Sequence, residues 1–142
     1  MVVIANFEIS GFSELEKRLL KRETAAVEAV PEMLKAAAEA VKESQKSEVK
    51  ARFKSDRSTG DLAESIESTK IENTQTQSFC YVYPQGNNRR GQRNATVGFV
   101  LHYGRTGKSA MAPSHWLTAA NEKVSSKAQD EMWKVWRKKQ NE

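Results

Sequence analysis

An α+β fold is predicted for this chain: a small antiparallel sheet of three to four strands packed against a long N-terminal helix and a C-terminal helix. Three observations predict it. Apolar residues recur every three or four positions over two long stretches, one in each half of the chain. Between those stretches, β-branched and aromatic residues gather in three short runs separated by polar, glycine-bearing segments. The 142 residues suit one domain, which folding lets bury roughly 68 to 70% of its extended-chain surface.

The first element expected is a strand. Val3, Ala5, Phe7 and Ile9 alternate with Val2, Ile4, Asn6 and Glu8, the pattern of a half-buried strand, and Gly11 then turns the chain. Ser13 and Glu16, three residues apart, form a capping box that satisfies amide donors at the start of a helix. Leu15, Leu19, Val27, Val30, Leu34, Ala37 and Val41 follow mostly at spacings of three and four, continued by Val49 and Phe53. Pro31 removes one helical hydrogen bond, so the stripe is expected either as two helices meeting near Ala29 or as one kinked helix. Ala36, Ala37, Ala38 and Ala40 leave room for another element to approach closely.

Residues 54–60 are polar, and Ser58 with Asp61 offers a capping pair for a short helix over 60–65. Strands are expected over 66–71, 78–83 and 96–103. In the last of these Val97, Phe99, Leu101 and Tyr103 share one face. The connection PQGNNRRGQRN, residues 84–94, is too long for a tight hairpin turn, and its three arginines suit contact with a neighbouring subunit or with phosphates. A final helix is expected over about 114–139, with Leu117, Ala120, Val124, Ala128, Met132 and Val135 or Trp136 along its buried face. Trp116, Trp133 and Trp136 exceed what a single narrow stripe can bury, which leaves two readings open: at least one at a subunit contact, or all three in the domain core or leaning on its edge.

Composition narrows the function classes. Charged residues make up 29% of the chain and hydrophobic ones 38%, and no apolar run approaches the roughly 18 residues of a membrane span. The opening MVVIANF lacks a basic leader and reads as a strand, not an export signal. Cys80 is the only cysteine, which excludes an internal disulfide and a multi-cysteine metal cage. Net charge is +5, with basic clusters at Arg89, Arg90 and Arg93 and at Lys134, Arg137, Lys138 and Lys139. The second cluster complements the carbonyl end of a helix.

The sequence carries no recognisable catalytic constellation. GRTGKS, residues 104–109, is close to a phosphate loop, but His102 stands where that motif needs a glycine, and no helix opens directly after it. His102, His115 and Cys80 are isolated in sequence, which reads as a strand residue, an early helix residue and a small core residue. No cofactor and no metal are expected.

Residues 58–66, STGDLAESI, and 103–120, YGRTGKSAMAPSHWLTAA, together resemble the small neck or tail-component proteins of long-tailed phages and prophages. In that family a Thr-Gly-x-Leu-x-x-Ser-Ile segment follows a long helix, matched here by Thr59, Gly60, Leu62, Ser65 and Ile66. An aromatic-Gly turn and a Leu-x-x-Ala helix opening are matched by Tyr103 with Gly104 and by Leu117 with Ala120. FEISGFSELEKRL, residues 7–19, fits the family's opening strand, turn and helix. The chain departs from the pattern at His102, where an acidic residue is usual, and at Ser114, His115 and Trp116, where Pro-Phe would open the last helix.

The resemblance implies a non-enzymatic structural protein of the virion head-tail junction, a neck or tail-completion component made in the host bacterial cytoplasm and assembled there as a ring. Its implied partners are other head-closure and tail proteins and further copies of itself, with non-specific contact to passing DNA and none to membrane. Residues expected at subunit interfaces or along a DNA channel are Arg89, Arg90, Arg93, Arg105, Lys108, Trp133 and Trp136. The alternative is a small basic nucleic-acid-binding module that stacks bases on Phe79, Tyr81, Tyr83 and Phe99.

Overall fold

The computed structural model describes residues 24–54 and 59–140, with side chains from residue 28 onward. The strand expected over 2–9, the Ser13 to Glu16 capping box, Leu15, Leu19, the Val27 side chain and the Ser58 cap all lie outside the described residues. What is described is α+β: two long helices, α1 (Thr24–Arg52) and α4 (Trp116–Gln140), two shorter ones, α2 (Asp61–Glu64) and α3 (Asn94–Tyr103), and four short strands.

Helices α1 and α4 run antiparallel along one another. Three cross-links set that direction: Lys139 bridges to Glu32 at one end, the Ser44 hydroxyl donates to the Ala120 carbonyl at 2.7 Å, and Lys123 bridges to Glu48 at 2.8 Å. The apolar stripes meet between them. Met33, Ala37 and Val41 on α1, and Leu117, Ala120, Val124, Ala128, Met132 and Trp136 on α4, are all buried. Alanine on the contact face lets the two backbones approach, while the larger Met33, Met132 and Trp136 fill the gaps left between turns. Pro31 sits inside one continuous α1, so of the two arrangements expected around it the single helix is the one found.

The strands lie against α1 as two antiparallel pairs. Strands β1 (Ile66–Ser68) and β4 (Val82–Pro84) pair with Ser68 opposite Val82. Strands β2 (Glu72–Asn73) and β3 (Ser78–Phe79) pair with Glu72 opposite Phe79. Three residues, 69–71, separate the pairs on one side and only two, 80–81, on the other. That extra residue is a bulge, and the continuous strands expected over 66–71 and 78–83 are broken there. Thr69 patches the gap: its amide donates to the Tyr81 carbonyl at 2.8 Å, and its hydroxyl accepts the Tyr81 amide at 2.9 Å. Gln45, fully buried on α1, locks helix to sheet by donating from its side-chain nitrogen to the Val82 carbonyl and to Asn121 Oδ1.

One element differs in kind from expectation. Residues 96–103, read as a strand from alternating Val97, Phe99, Leu101 and Tyr103, belong to helix α3. Its buried positions are Asn94, Gly98 and His102, four residues apart, which is a helical face made of small and polar residues. Hydrophobic periodicity is blind to such a face. The glycine at 98 keeps this contact close, since a β-carbon there would stand 3.3 Å from Pro84 and 3.4 Å from Trp116, whose indole nitrogen donates to the Gly98 carbonyl at 3.0 Å.

Candidate functional site

Two connections, residues 85–93 ahead of α3 and 104–115 behind it, carry most of the side chains singled out from sequence. The first is a braced turn. Asn88 accepts at Oδ1 from the amides of Arg90 and Gln92, its own amide donates to the Gln92 carbonyl at 2.8 Å, and Asn87 and Arg93 form a backbone bridge at the base. Asn94 closes it from beneath, donating from its side chain to the Gln85 carbonyl and from its backbone to Gly86.

Arg89 is exposed, but its side chain is committed to a contact within the chain. Its Nη2 reaches Asp61 Oδ1 at 2.8 Å, its Nε reaches Oδ2 at 3.1 Å, and its backbone amide donates to the same carboxylate. This fork-to-fork geometry pins the loop to the start of α2. The guanidinium beside Asp61 holds that carboxyl down to about 2 from an ordinary 3.8, and the carboxylate in turn raises the Arg89 value. Arg90 and Arg93 remain exposed on the outer side of the turn.

The second connection folds back as a small hairpin. Arg105 and Met111 exchange backbone hydrogen bonds of 2.9 Å each, and Arg105 Nε donates to the Ser109 carbonyl. Lys108 is exposed near the tip, beside Gly107 with φ 98°. Gly104 is the pivot: at φ 75° it lies so close to the Met111 and Ala112 backbone that a β-carbon has no space. GRTGKS therefore leaves a helix, not the strand expected before it, and runs into this hairpin.

The base of the hairpin is tied to α3 by histidine chemistry. His102, expected on a strand, is buried on α3, and its Nδ1 accepts the Leu117 amide at 3.3 Å, capping α4 from another element. His115, expected within the last helix, precedes α4 with φ 51° and donates its amide to the His102 carbonyl. The two rings meet edge to face with centroids 5.3 Å apart. Burial, and then the neighbouring His115, push the His102 value below the usual 6.5. Among the described residues no three His, Cys, Asp or Glu side chains gather to hold a metal. Cys80 is half-buried on the strand side, and burial raises its thiol.

The aromatic residues separate into different environments. Trp136 is buried against α1 at 8% exposure, while Trp133 on the outer side of α4 is 41% exposed. Phe99 is on α3 and not on a sheet face, and its ring packs on Tyr103 at 4.8 Å. Phe79 and Tyr81 pack edge to face on each other. The four aromatics read from sequence as one stacking face are thus divided between a helix and a bulged hairpin. Sequence reasoning missed Tyr103 and Met111 as surface groups. They are 51% and 38% exposed, and the Arg105 to Met111 bridge brings Met111 back beside the end of α3. Tyr103 is exposed as the last residue of α3 on the side away from Asn94, Gly98 and His102, and no local pattern signals that helix.

The described residues form an α+β protein with a self-braced loop at each end of α3, the second of which carries the exposed Met111 next to the exposed Tyr103. Among the described residues no helix is long and apolar enough to cross a membrane. Comparison with protein families, curated proteins and solved structures gives no match to this chain.

Proposed function

We propose that this chain is a structural virion protein of the phage head-tail junction, a neck or tail-completion component that works by fitting against other subunits. The observation that carries the reading is the exposure of Tyr103, Met111 and Trp133 on a protein whose remaining large apolar side chains are buried or half-buried among the described residues. Large apolar groups held on ordered backbone are suited to burial against another protein. The resemblance carried by residues 58–66 and 103–120 supplies the class of partner. In this reading the hairpin at 105–111 and the outer face of α4 meet neighbouring copies or head-closure and tail proteins. Arg90 and Arg93 take the role of exposed cations, facing a partner's carboxylates or passing DNA, and Arg89 is the internal brace that presents them.

The test is genetic and visual. Deleting the gene from the phage or prophage that carries it leaves separate heads and tails in electron micrographs. The parental chain restores joined particles, and a Tyr103→Ser, Met111→Ser, Trp133→Ser variant with a parental urea midpoint does not. Joined, infectious particles from the deletion strain would overturn the assignment.

A further inference from the structure

A concave groove of about 460 Å³ opens where the end of α1, the start of α2, the 85–93 turn and α3 meet. Its floor is apolar and comes from three separate helices: Phe53 follows α1, Leu62 is on α2, and Val97 and Leu101 are on α3. All four are half-buried, so each offers part of its surface to the groove. Its rim is basic. Lys50 and Lys54 stand on one side and Arg90 on the other, all exposed. The one carboxylate among the described lining residues is Asp61, and the bidentate Arg89 contact already neutralises it.

We infer that this groove is a docking site for an acidic segment of a partner protein, one that lays a large apolar side chain on the floor and its carboxylates on the rim. Charge complementarity selects this occupant. A purely apolar segment leaves Lys50, Lys54 and Arg90 without a counter-charge, and a nucleic-acid strand finds only the Phe53 ring to stack on, since Leu62, Val97 and Leu101 make the rest of the floor aliphatic. The volume falls within the range of roughly 300 to 1,000 Å³ usual for sites that enclose compact ligands. It suits a short anchor of one or two side chains better than a domain. The Arg89 to Asp61 fork keeps the arginine rim ordered before the partner arrives, which lowers the entropy lost on docking. This inference stands whether or not the chain belongs to a virion, because it rests on the groove alone.

The experiment selects binders from a displayed library of short random peptides against the full chain. Synthetic versions of the enriched sequences are then measured by fluorescence anisotropy. The expected result is enrichment of Asp and Glu next to Leu, Phe or Trp, methyl NMR shifts at Leu62, Val97 and Leu101, and affinity that falls with added salt. The double substitution K50E/R90E, at exposed positions that leave the core untouched, is expected to weaken binding on the order of tenfold or more. Selection of no peptide, selection without acidic residues, binding unaffected by K50E/R90E, or displacement of the methyl shifts to another face each overturns the inference. So does an oligothymidine strand that produces the same methyl shifts with higher affinity than the peptides.

Discussion

The seam between α1 and α4 and the surface built by α2, α3 and their two loops are held together by different means. In the seam, specificity comes from shape: alanines at the close approach, Met33, Met132 and Trp136 in the gaps, and polar cross-links such as Ser44 to Ala120 at the margin. On the loop surface, specificity comes from single polar contacts, among them Asn88 on its own turn, Arg89 on Asp61, and His102 on the Leu117 amide. The first kind of bonding spreads energy over many small contacts and tolerates little change in volume. The second concentrates it in a few hydrogen bonds, and leaves neighbouring side chains such as Tyr103, Lys108 and Arg90 free to face outward. The proposed role by contact draws on both, a rigid body and a surface whose exposed groups are set by backbone and not by packing.

The largest expected effect is where the two regions join. Trp116 is fully buried, fills the space over Gly98 and donates to its carbonyl, so Trp116→Ala should cost about 3–5 kcal/mol, read as a lowered urea midpoint. A change of well under half that would break the comparison, by making the junction as tolerant as the loops.

Gly104→Ala comes next and marks the one loop position expected to behave like the seam. The backbone conformation at φ 75° costs an alanine about 1–3 kcal/mol, and the Met111 carbonyl must also move. Gly107→Ala, at φ 98° with open space around the added methyl, is the control and should cost less. Equal costs at the two glycines would show that crowding against Met111 plays no part.

Smallest is the pH response of the His102 cap. The Leu117 amide needs an unprotonated Nδ1, and burial lowers the folded-state value below 6.5, the value of a free histidine. The unfolded chain therefore takes up a proton that the folded chain resists. Stability is complete above the unfolded value, falls as the pH drops below it, and levels off once the pH has passed the depressed folded value. Urea midpoints at about pH 7.5 and about pH 5.5 should differ in that direction, and His102→Asn, which keeps an acceptor without a proton to gain, should flatten the difference. The Asp61 carboxylate, held to about 2 from an ordinary 3.8, contributes its own loss only as the pH falls below that ordinary value, which lies under both of the pH values compared.

These regions were not equally legible in sequence. The α4 stripe was readable residue by residue, because a helix that buries one face along its whole length repeats its apolar residues at the helical period. The buried side of α3 was not, since Asn94, Gly98 and His102 carry no hydrophobic signal, and the apolar residues around them alternate as a strand does. The bulge at 69–71 was equally hidden: it is defined by the partner strand's count of residues, not by its own composition. Arg89, Arg90 and Arg93 could be named as a cluster, but that Arg89 braces the loop through an ion pair depends on Asp61, distant in sequence and adjacent in space.

The amino-acid order by itself determined the α+β class, the two long helices and the faces on which they meet, because local period and side-chain volume are enough to specify a buried stripe. Tertiary structure alone decided that residues 94–103 coil instead of extending, that a histidine on one helix caps another, and which aromatic and basic groups reach the surface. Those outcomes depend on contacts between residues far apart in the chain, where the energy of a single well-made neighbour outweighs the modest preference of the local sequence.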